Sequence, residues 1–302
     1  MKKFGAVLLA ILVIAGAGYY ILFLQMSDVD RSLYSIDLDE VRTLAGSLEG
    51  DLPTSINAEA PVTLEFPQAA VLTGGSWDAN PMVIYAYQVM YPSRHVMIDS
   101  SMSHEAAQGM GGEDIPFDAD VQTRLQAALA SADQIVFTHE HSDHIDGVLT
   151  HADVANVLAR TRITTAQLSK ADYWADYPPE LLEGYEPLTY EGMHALAPGI
   201  VLIEAAGHTP GSQIIYVRLA NGQEYFFIGD VAWNYAGIEN VIPRPNAVDW
   251  LFLGENRPRT HAQVAELKDI AAANPDLAIV VGHDGPRTRT QIAAGLLSDR
   301  FQ

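Results

Sequence analysis

The chain contains no cysteine, so disulfides, thiolate nucleophiles and thiolate metal ligands are all excluded, while the redox compartment stays open. It is also poor in positive charge. Lys and Arg number 17 against 38 Asp and Glu, a net charge of −21. Two of those few cations, Lys2 and Lys3, lie at the extreme N-terminus, and no local basic patch appears in the remainder. Such a surface repels phosphate backbones, so nucleic-acid processing is disfavoured and no nucleic-acid partner is expected. There is neither an exact internal repeat nor a low-complexity tract. With 302 residues, 48% of them hydrophobic, the chain can bury a substantial core in one large domain or two small ones.

The first feature present is an uncharged, mostly apolar run from Phe4 to Leu24, between Lys2-Lys3 and Asp28/Asp30. A bilayer span needs about 20 such residues. Lysines before the run and acids after it place the bulk of the chain on the periplasmic or extracellular side. The run therefore predicts a membrane anchor meeting the bilayer through residues 4–24. The other reading is a secreted protein, with signal cleavage near Ala17 in Ala15-Gly16-Ala17. Residues 1–24 form the anchor or signal segment, and 25–66 a linker with one helix around Ile36–Leu48. Residues 67–302 form the main domain.

Within that domain, short β-branched and aromatic runs predict strands at Ala69–Leu72, Met82–Met90, His95–Ile98 and Gln134–Thr138. Further strands are predicted at Ile200–Glu204, Gln213–Arg218, Glu224–Ile228 and Leu277–Val281. Val121, Leu125, Ala128 and Leu129 recur at helical spacing and predict a helix over Asp118–Ser131. Thr260 with Gln263 reads as a capping box opening a helix through Ala273, and Gln291–Leu297 reads as a final helix. Strands grouped within each half, with helices between, suggest two sheets covered by helices.

Five of the ten histidines fall at three strand ends. Thr138-His139-Glu140-His141-Ser142-Asp143-His144 packs three imidazoles and a carboxylate into six residues. His208 follows in Gly207-His208-Thr209-Pro210-Gly211, and His283 in Val281-Gly282-His283-Asp284. Asp230 ends another strand in Phe226-Phe227-Ile228-Gly229-Asp230. A lone strand-end histidine or a Gly-Asp turn is ordinary; the conjunction is not. Imidazole and carboxylate are the donors that suit zinc without thiolate, and this set is large enough for two ions sharing one carboxylate.

That order of motifs resembles the metallo-β-lactamase superfamily, over about Ala69 to Leu297. The resemblance implies an α+β fold, a four-layer αββα sandwich with metals at one edge. It implies two divalent metal ions per chain, zinc by default. His139, His141 and His208 would hold the first, Asp143, His144 and His283 the second, and Asp230 would bridge. Asp99, in Val96-Met97-Ile98-Asp99-Ser100, looks like the strand-end aspartate that braces the ligand loop; a simple turn acid is the other reading. The implied activity is a dinuclear hydrolase in which a hydroxide bridging the ions cleaves an ester or lactone, Asp143 or Asp230 relaying a proton to the leaving group. Phosphoester or thioester hydrolysis, or a non-catalytic metal-binding membrane protein, are the alternatives.

Departures narrow the branch. Class B β-lactamases mostly place a cysteine on the second metal, and the diiron oxidoreductases have an acid where His141 stands. The compact C-terminus and the Gly282-His283-Asp284 ending look most like the quorum-quenching lactonases. Those often carry a tyrosine three residues after the bridging aspartate, where this chain has Trp233. Trp233 and Tyr235 are candidate pocket residues for a small-molecule substrate, with walls drawn from Ser169–Met193 and Asn234–Pro258.

Overall fold

The computed structural model describes residues 2–302. Met1, the first residue of the expected anchor segment, lies outside the described residues.

Among the described residues, nine strands form two sheets. The first contains β1 (Ser55–Pro67), β2 (Ala79–Met90), β3 (His95–Ile98) and β4 (Gln134–Val136), in that order. The second runs β5 (Met193–Ala197), β6 (Ile200–Glu204), β7 (Gln213–Arg218), β8 (Glu224–Phe227) and β9 (Leu277–Val280). Each sheet is antiparallel apart from one parallel pair at the end of the order, β3 with β4 and β8 with β9.

The period-two geometry of a strand sorts its side chains between two cores. Along β2, Val83, Tyr85, Tyr87 and Val89 enter the core between the sheets, whereas Ile84 and Ala86 face outward. In the second sheet Ile200, Leu202, Ile215, Val217, Tyr225, Phe227 and Val280 point inward. Their neighbours Val201, Ile203, Ile214, Tyr216, Phe226 and Ile279 meet Val264, Leu267 and Ile270 of the helix Arg257–Ala273. On the far side of the first sheet, Leu125 and Leu129 of the helix Ala119–Ser131 pack with Ile145 and Val148 of the helix Ser142–Leu149. Helix, sheet, sheet, helix is the four-layer αββα order expected.

Four expectations need correction. Residues 55–66, assigned to the linker, are most of the longest strand. Polar Asn57, Glu59 and Thr63 alternating with Ile56, Ala58 and Val62 carry the strand period, but Pro61 and the acids obscure it. Pro61 is tolerated because β1 is an edge strand and the register shifts between Glu59 and Val62. Residues 68–71 form one helical turn, closed by Leu72 N donating to Gln68 O at 2.9 Å, rather than a strand. A four-residue apolar run is ambiguous between the two.

The Thr260/Gln263 capping box is absent. The helix starts at Arg257 behind Asn256, whose side chain accepts from Arg259 N, with Pro258 in its first turn. The final helix is Gly285–Ala293, capped by Asp284 accepting from Arg287 N. Asp-Gly-Pro, which reads as a turn, is here a cap followed by a first-turn proline. The linker helix spans Leu38–Ala45, and β5 had no clear signal.

Among the described residues, one helix is long and apolar enough to cross a membrane, Lys3–Leu24.

Candidate metal centre

The seven candidate residues converge from the ends of β4, β6, β8 and β9. His139 lies just past β4. His141 is the N-cap of the helix Ser142–Leu149, whose first turn carries Asp143 and His144. His208 follows β6, Asp230 follows β8 in a single 3-10 turn, and His283 follows β9.

Their donor atoms fall into two four-membered sets. In the first, His141 Nδ1 stands 3.1 Å from His139 Nε2 and 3.0 Å from His208 Nε2, while Asp230 Oδ2 lies 3.7 and 3.4 Å from the same two nitrogens. In the second, Asp143 Oδ2 is 3.5 Å from His144 Nε2 and 3.4 Å from His283 Nε2, and Asp230 Oδ1 is 3.4 and 3.0 Å from those nitrogens. Asp230 thus gives one oxygen to each set. Donors 2.0–2.1 Å from a tetrahedral zinc ion stand about 3.3 Å apart, so the spacing fits such an ion in both sets.

Two buried polar atoms reinforce the fit, for His144 Nε2 and Asp230 Oδ1 have no hydrogen-bond partner. Buried polar groups are seldom left so, because the desolvation cost is unrecovered. Charge agrees. Burial holds His139 and His141 well below the ordinary imidazole pKa, hence neutral with free lone pairs. Burial opposes charge on His144 and His283 too, yet there the carboxylates win. Asp143, Asp99 and Asp230 raise His144, and Asp230 raises His283. Asp230 is itself buried but is held well below the carboxylate range by His283, His139 and His144. The second set therefore calls for positive charge, which protons supply when no cation does.

Beside the sets opens a cavity of about 550 Å³. His141, Asp143, Asp230, Trp233 and His283 form its floor. Leu64, Phe66, Met82, Ile84, Met110 and Phe252 make most of its wall, and Asp172, Tyr173 and Asp176 stand at one side.

The family model described as the metallo-beta-lactamase superfamily matches residues 79–283, more than half of the chain. The chain belongs to the metallo-β-lactamase superfamily. A curated N-acyl homoserine lactonase from a Bacillus species is 23% identical over 151 residues, covering 50% of this chain and 55% of that protein. A Bacillus thuringiensis lactonase is 22% identical over 150 residues, with the same coverage. The chain spans about half the length of the curated relatives it matches. A solved N-acyl homoserine lactone hydrolase with N-hexanoyl-L-homoserine at its catalytic metal centre superposes with a TM-score of 0.62 at 14% identity, covering 79% of this chain and 96% of that one. A dizinc quorum-quenching lactonase, 16% identical, superposes with a TM-score of 0.50 over 74% and 85% of the two chains. These structural likenesses show the shared fold.

As in metal sites generally, an outer layer fixes the inner imidazoles. His144 Nδ1 donates to Asp99 Oδ2 at 2.9 Å, and His283 Nδ1 to Val83 O at 3.2 Å, which leaves both Nε2 atoms aimed at the second set. Asp99 also accepts from Thr138 N at 2.6 Å and Thr138 Oγ1 at 2.8 Å. It does so from a left-handed backbone (φ 57°), a conformation that costs energy in any residue but glycine.

Sequence reasoning missed the rest of this layer. Under His208 lies Glu255, accepting from His208 Nδ1 at 3.2 Å and paired with buried Arg244. Burial would raise the Glu255 carboxyl, but Arg244 and His208 bring it down to about 2. Glu140 accepts from Thr209 Oγ1 (2.7 Å) and Gly211 N (3.1 Å), tying the His208 turn to the His139–His141 loop. Gln263 donates to Ala205 O and Ala206 O and so sets the approach to His208. Arg244, Glu255 and Gln263 lie in no motif with the ligands, and only the fold brings them there. Glu140 lies within the motif itself, and its place between two histidines was the available signal.

Trp233 lies on the cavity floor, its Nε1 donating to Asp230 Oδ2 at 2.6 Å. Tyr235 does not line this cavity. Its ring lies 3.9 Å from the Arg287 guanidinium and packs toward the outer core of the second sheet. Of the other loop aromatics, Tyr173 and Phe252 reach the cavity, whereas Trp174 is in the core and Tyr177 and Tyr185 bond to the protein around them. Leu64 and Phe66 of the wall lie in β1, within the stretch that reads as linker, whereas Met82 and Ile84 lie in a strand the sequence predicts; neither pair carries a pocket signal of its own.

Proposed function

We propose that the protein is a dinuclear metal-dependent hydrolase that cleaves a carboxylic ester or lactone with an activated water. The observation that carries this reading is Asp230, one buried carboxylate offering one oxygen to each of two four-donor sets. His139, His141 and His208 would hold the first ion, Asp143, His144 and His283 the second, with Asp230 shared. Nitrogen and oxygen donors without thiolate favour zinc. Bound there, two such ions would lower the pKa of water toward neutrality and polarise the scissile carbonyl.

The chain's own groups do the remainder. Asp99 orients His144 and Glu255 orients His208. Asp143 is the more open carboxylate of the pair, lining the cavity with 14% of its side chain exposed, and is placed to pass a proton to a leaving alkoxide. Trp233 Nε1–H fixes the Asp230 carboxylate by donating to Oδ2.

Substrate class follows from the wall. It is apolar on one side and carboxylate-bearing on the other, and it includes no Lys or Arg. A phosphodiester would meet no cation from the protein there, whereas an uncharged ester with an alkyl chain meets Leu64, Phe66, Met110 and Phe252. The lactone substrates named for the Bacillus relatives support the same class. The helix Lys3–Leu24 serves as a membrane anchor in this reading, with the catalytic domain outside because Lys2 and Lys3 precede the run and acids follow it.

Elemental analysis should find about two transition-metal ions per chain. Turnover should be highest on esters or lactones in a panel that includes thioesters and phosphodiesters. One ion at full activity, or phosphodiesters preferred, would overturn the proposal.

A further inference from the structure

The apolar helix does not end on a free tether. Within the run Lys3–Leu24 itself, Tyr19 Oη accepts from Trp77 Nε1 at 3.2 Å, and the Phe23 ring meets the Trp77 ring edge-on at 5.2 Å. Phe23 O accepts from Gly74 N at 2.8 Å, and Ile21 O from Asn246 Nδ2 at 2.7 Å. At 1.5 Å per residue the run is about 33 Å long, against roughly 30 Å of bilayer hydrocarbon. The body is therefore fastened to the last ~8 Å of the span, with no linker between, and its docking surface sits at the depth of the bilayer boundary.

The surface next to that docking point is apolar. Directly after the docked segment Asn246–Val248, the turn Asp249–Leu253 presents Trp250, Leu251 and Phe252 at 61, 68 and 81% exposure, and Trp77 is 58% exposed. On a chain of net charge −21, large side chains left open together mark an interaction surface, and tryptophan beside the end of a span fits the membrane–water interface.

That turn is also the cavity wall. Val248, Phe252 and Leu253 line it, as do Phe66 and Met110, which are 38 and 50% exposed.

We infer that the cavity mouth opens onto the bilayer surface, with Trp77 and residues 250–252 set into the interface. The substrate is then an amphiphile that presents its ester or lactone head to the seven-residue cluster while its acyl chain enters from the lipid phase. This rests on the anchor reading above. Lipid is the occupant because the patch is continuous with the span that fixes its depth. The route has a physical advantage. Every methylene exposed to water carries a free-energy cost, and a chain passing from lipid to an apolar wall avoids it.

The test uses the full chain in phosphatidylcholine vesicles. After flotation shows that the protein is inserted, tryptophan emission is measured with lipids brominated near the headgroup or near the chain end. The headgroup-proximal bromines should quench strongly, and Trp77→Phe with Trp250→Phe should remove most of that quenching. Trp174 is buried and Trp233 lies in the cavity. Floated protein without shallow quenching, or quenching that survives both substitutions, overturns the orientation while leaving the anchor intact. Protein that fails to float, or whose N-terminus starts near Gly18, overturns the anchor and this inference with it. For the acyl substrates turned over, Leu251→Asp should raise KM about tenfold for long chains and leave short ones unchanged. An equal change for both refutes entry from the lipid.

Discussion

Gly282→Ala tests whether Asp230 is held where two sets of donors need it. A Cβ at Gly282 would stand 2.4 Å from Asp230 Oδ1 and 3.0 Å from Gly229 O, whereas ordinary contact begins at 3.4 Å. The backbone cannot yield, because Gly282 N donates to Ala232 O and His283 N to Trp233 O, at 3.2 and 3.0 Å. The carboxylate must therefore retreat by about 1 Å. A shift of that size in a positioned catalytic group costs about 100-fold in rate. The steric cost to stability is about 1–3 kcal/mol, as for other overpacked interiors. Expected outcomes are a kcat lower by about two orders of magnitude, weaker retention of the second-set ion on dialysis, and a modest fall in Tm. Gly109→Ala is the matched control, since an added Cβ there meets nothing within 4 Å in the helix His104–Gly111. Wild-type turnover and metal content in Gly282→Ala would refute the assignment of Asp230, because its Oδ1 would then have been free to move.

Three further outcomes can be measured. Asp230→Asn should lose activity by orders of magnitude, hold fewer than two ions and melt at a lower Tm while its circular dichroism stays native, because the apolar layer between the sheets keeps the fold when an ion is lost; near wild-type turnover with two ions bound would refute it. Glu255→Gln leaves Arg244 buried without its counter-charge, so chemical denaturation should show a loss of about 3 kcal/mol, while Arg244→Met with Glu255→Leu should recover much of it; equal losses in both would refute the pairing. The Glu224 carboxylate is held below its ordinary range chiefly by hydrogen bonds from Arg42 at 2.8 and 2.7 Å, which dock the helix Leu38–Ala45 on β8. A depressed pKa stabilises the fold above the unfolded value and is lost as pH falls through the folded one, so Arg42→Met should flatten the decline of Tm below about pH 4; parallel declines would refute it.

What the sequence disclosed depended on how local the signal was. His139 to His144 fall within six residues, and the β4–helix junction alone places them. His208, Asp230 and His283 each follow an apolar strand, so their convergence could be anticipated from strand ends. Strands that are short continuous apolar runs, such as β7 and β9, were readable. β1 was not, because its buried polar residues have partners far away: Asn57 donates to Gln88, and Glu59 pairs with Arg124 and accepts from Phe301 N. An acid satisfied from 65 or 242 residues away reads, in isolation, as a solvent-facing one. The same holds for Arg244 and Glu255. Their charges suggest surface, and only the fold shows that each is buried on account of the other.

Neither half of the molecule can complete a donor set. The first set takes His139 and His141 from the N-terminal sheet and its following loop, and His208 and Asp230 from the C-terminal sheet. The second takes Asp143 and His144 from the former, and Asp230 and His283 from the latter. Each would-be ion is therefore a crosslink between sheets that also meet through the apolar layer containing Tyr87, Ile98, Leu202, Ile215 and Phe227 and through hydrogen bonds such as Gln213 N to Thr138 O at 2.8 Å. Metal affinity and sheet packing then reinforce each other. Close packing of that layer holds four donors at spacings of 3.0–3.7 Å, and an ion bound there opposes separation of the sheets. Asp99 and Glu140 extend the coupling. Asp99 ties the end of β3 to Thr138 and His144, and Glu140 ties the His139–His141 loop to the His208 turn. A substitution deep between the sheets can therefore release metal without touching a ligand, which is why the site belongs to the sandwich as a whole rather than to its most conspicuous motif.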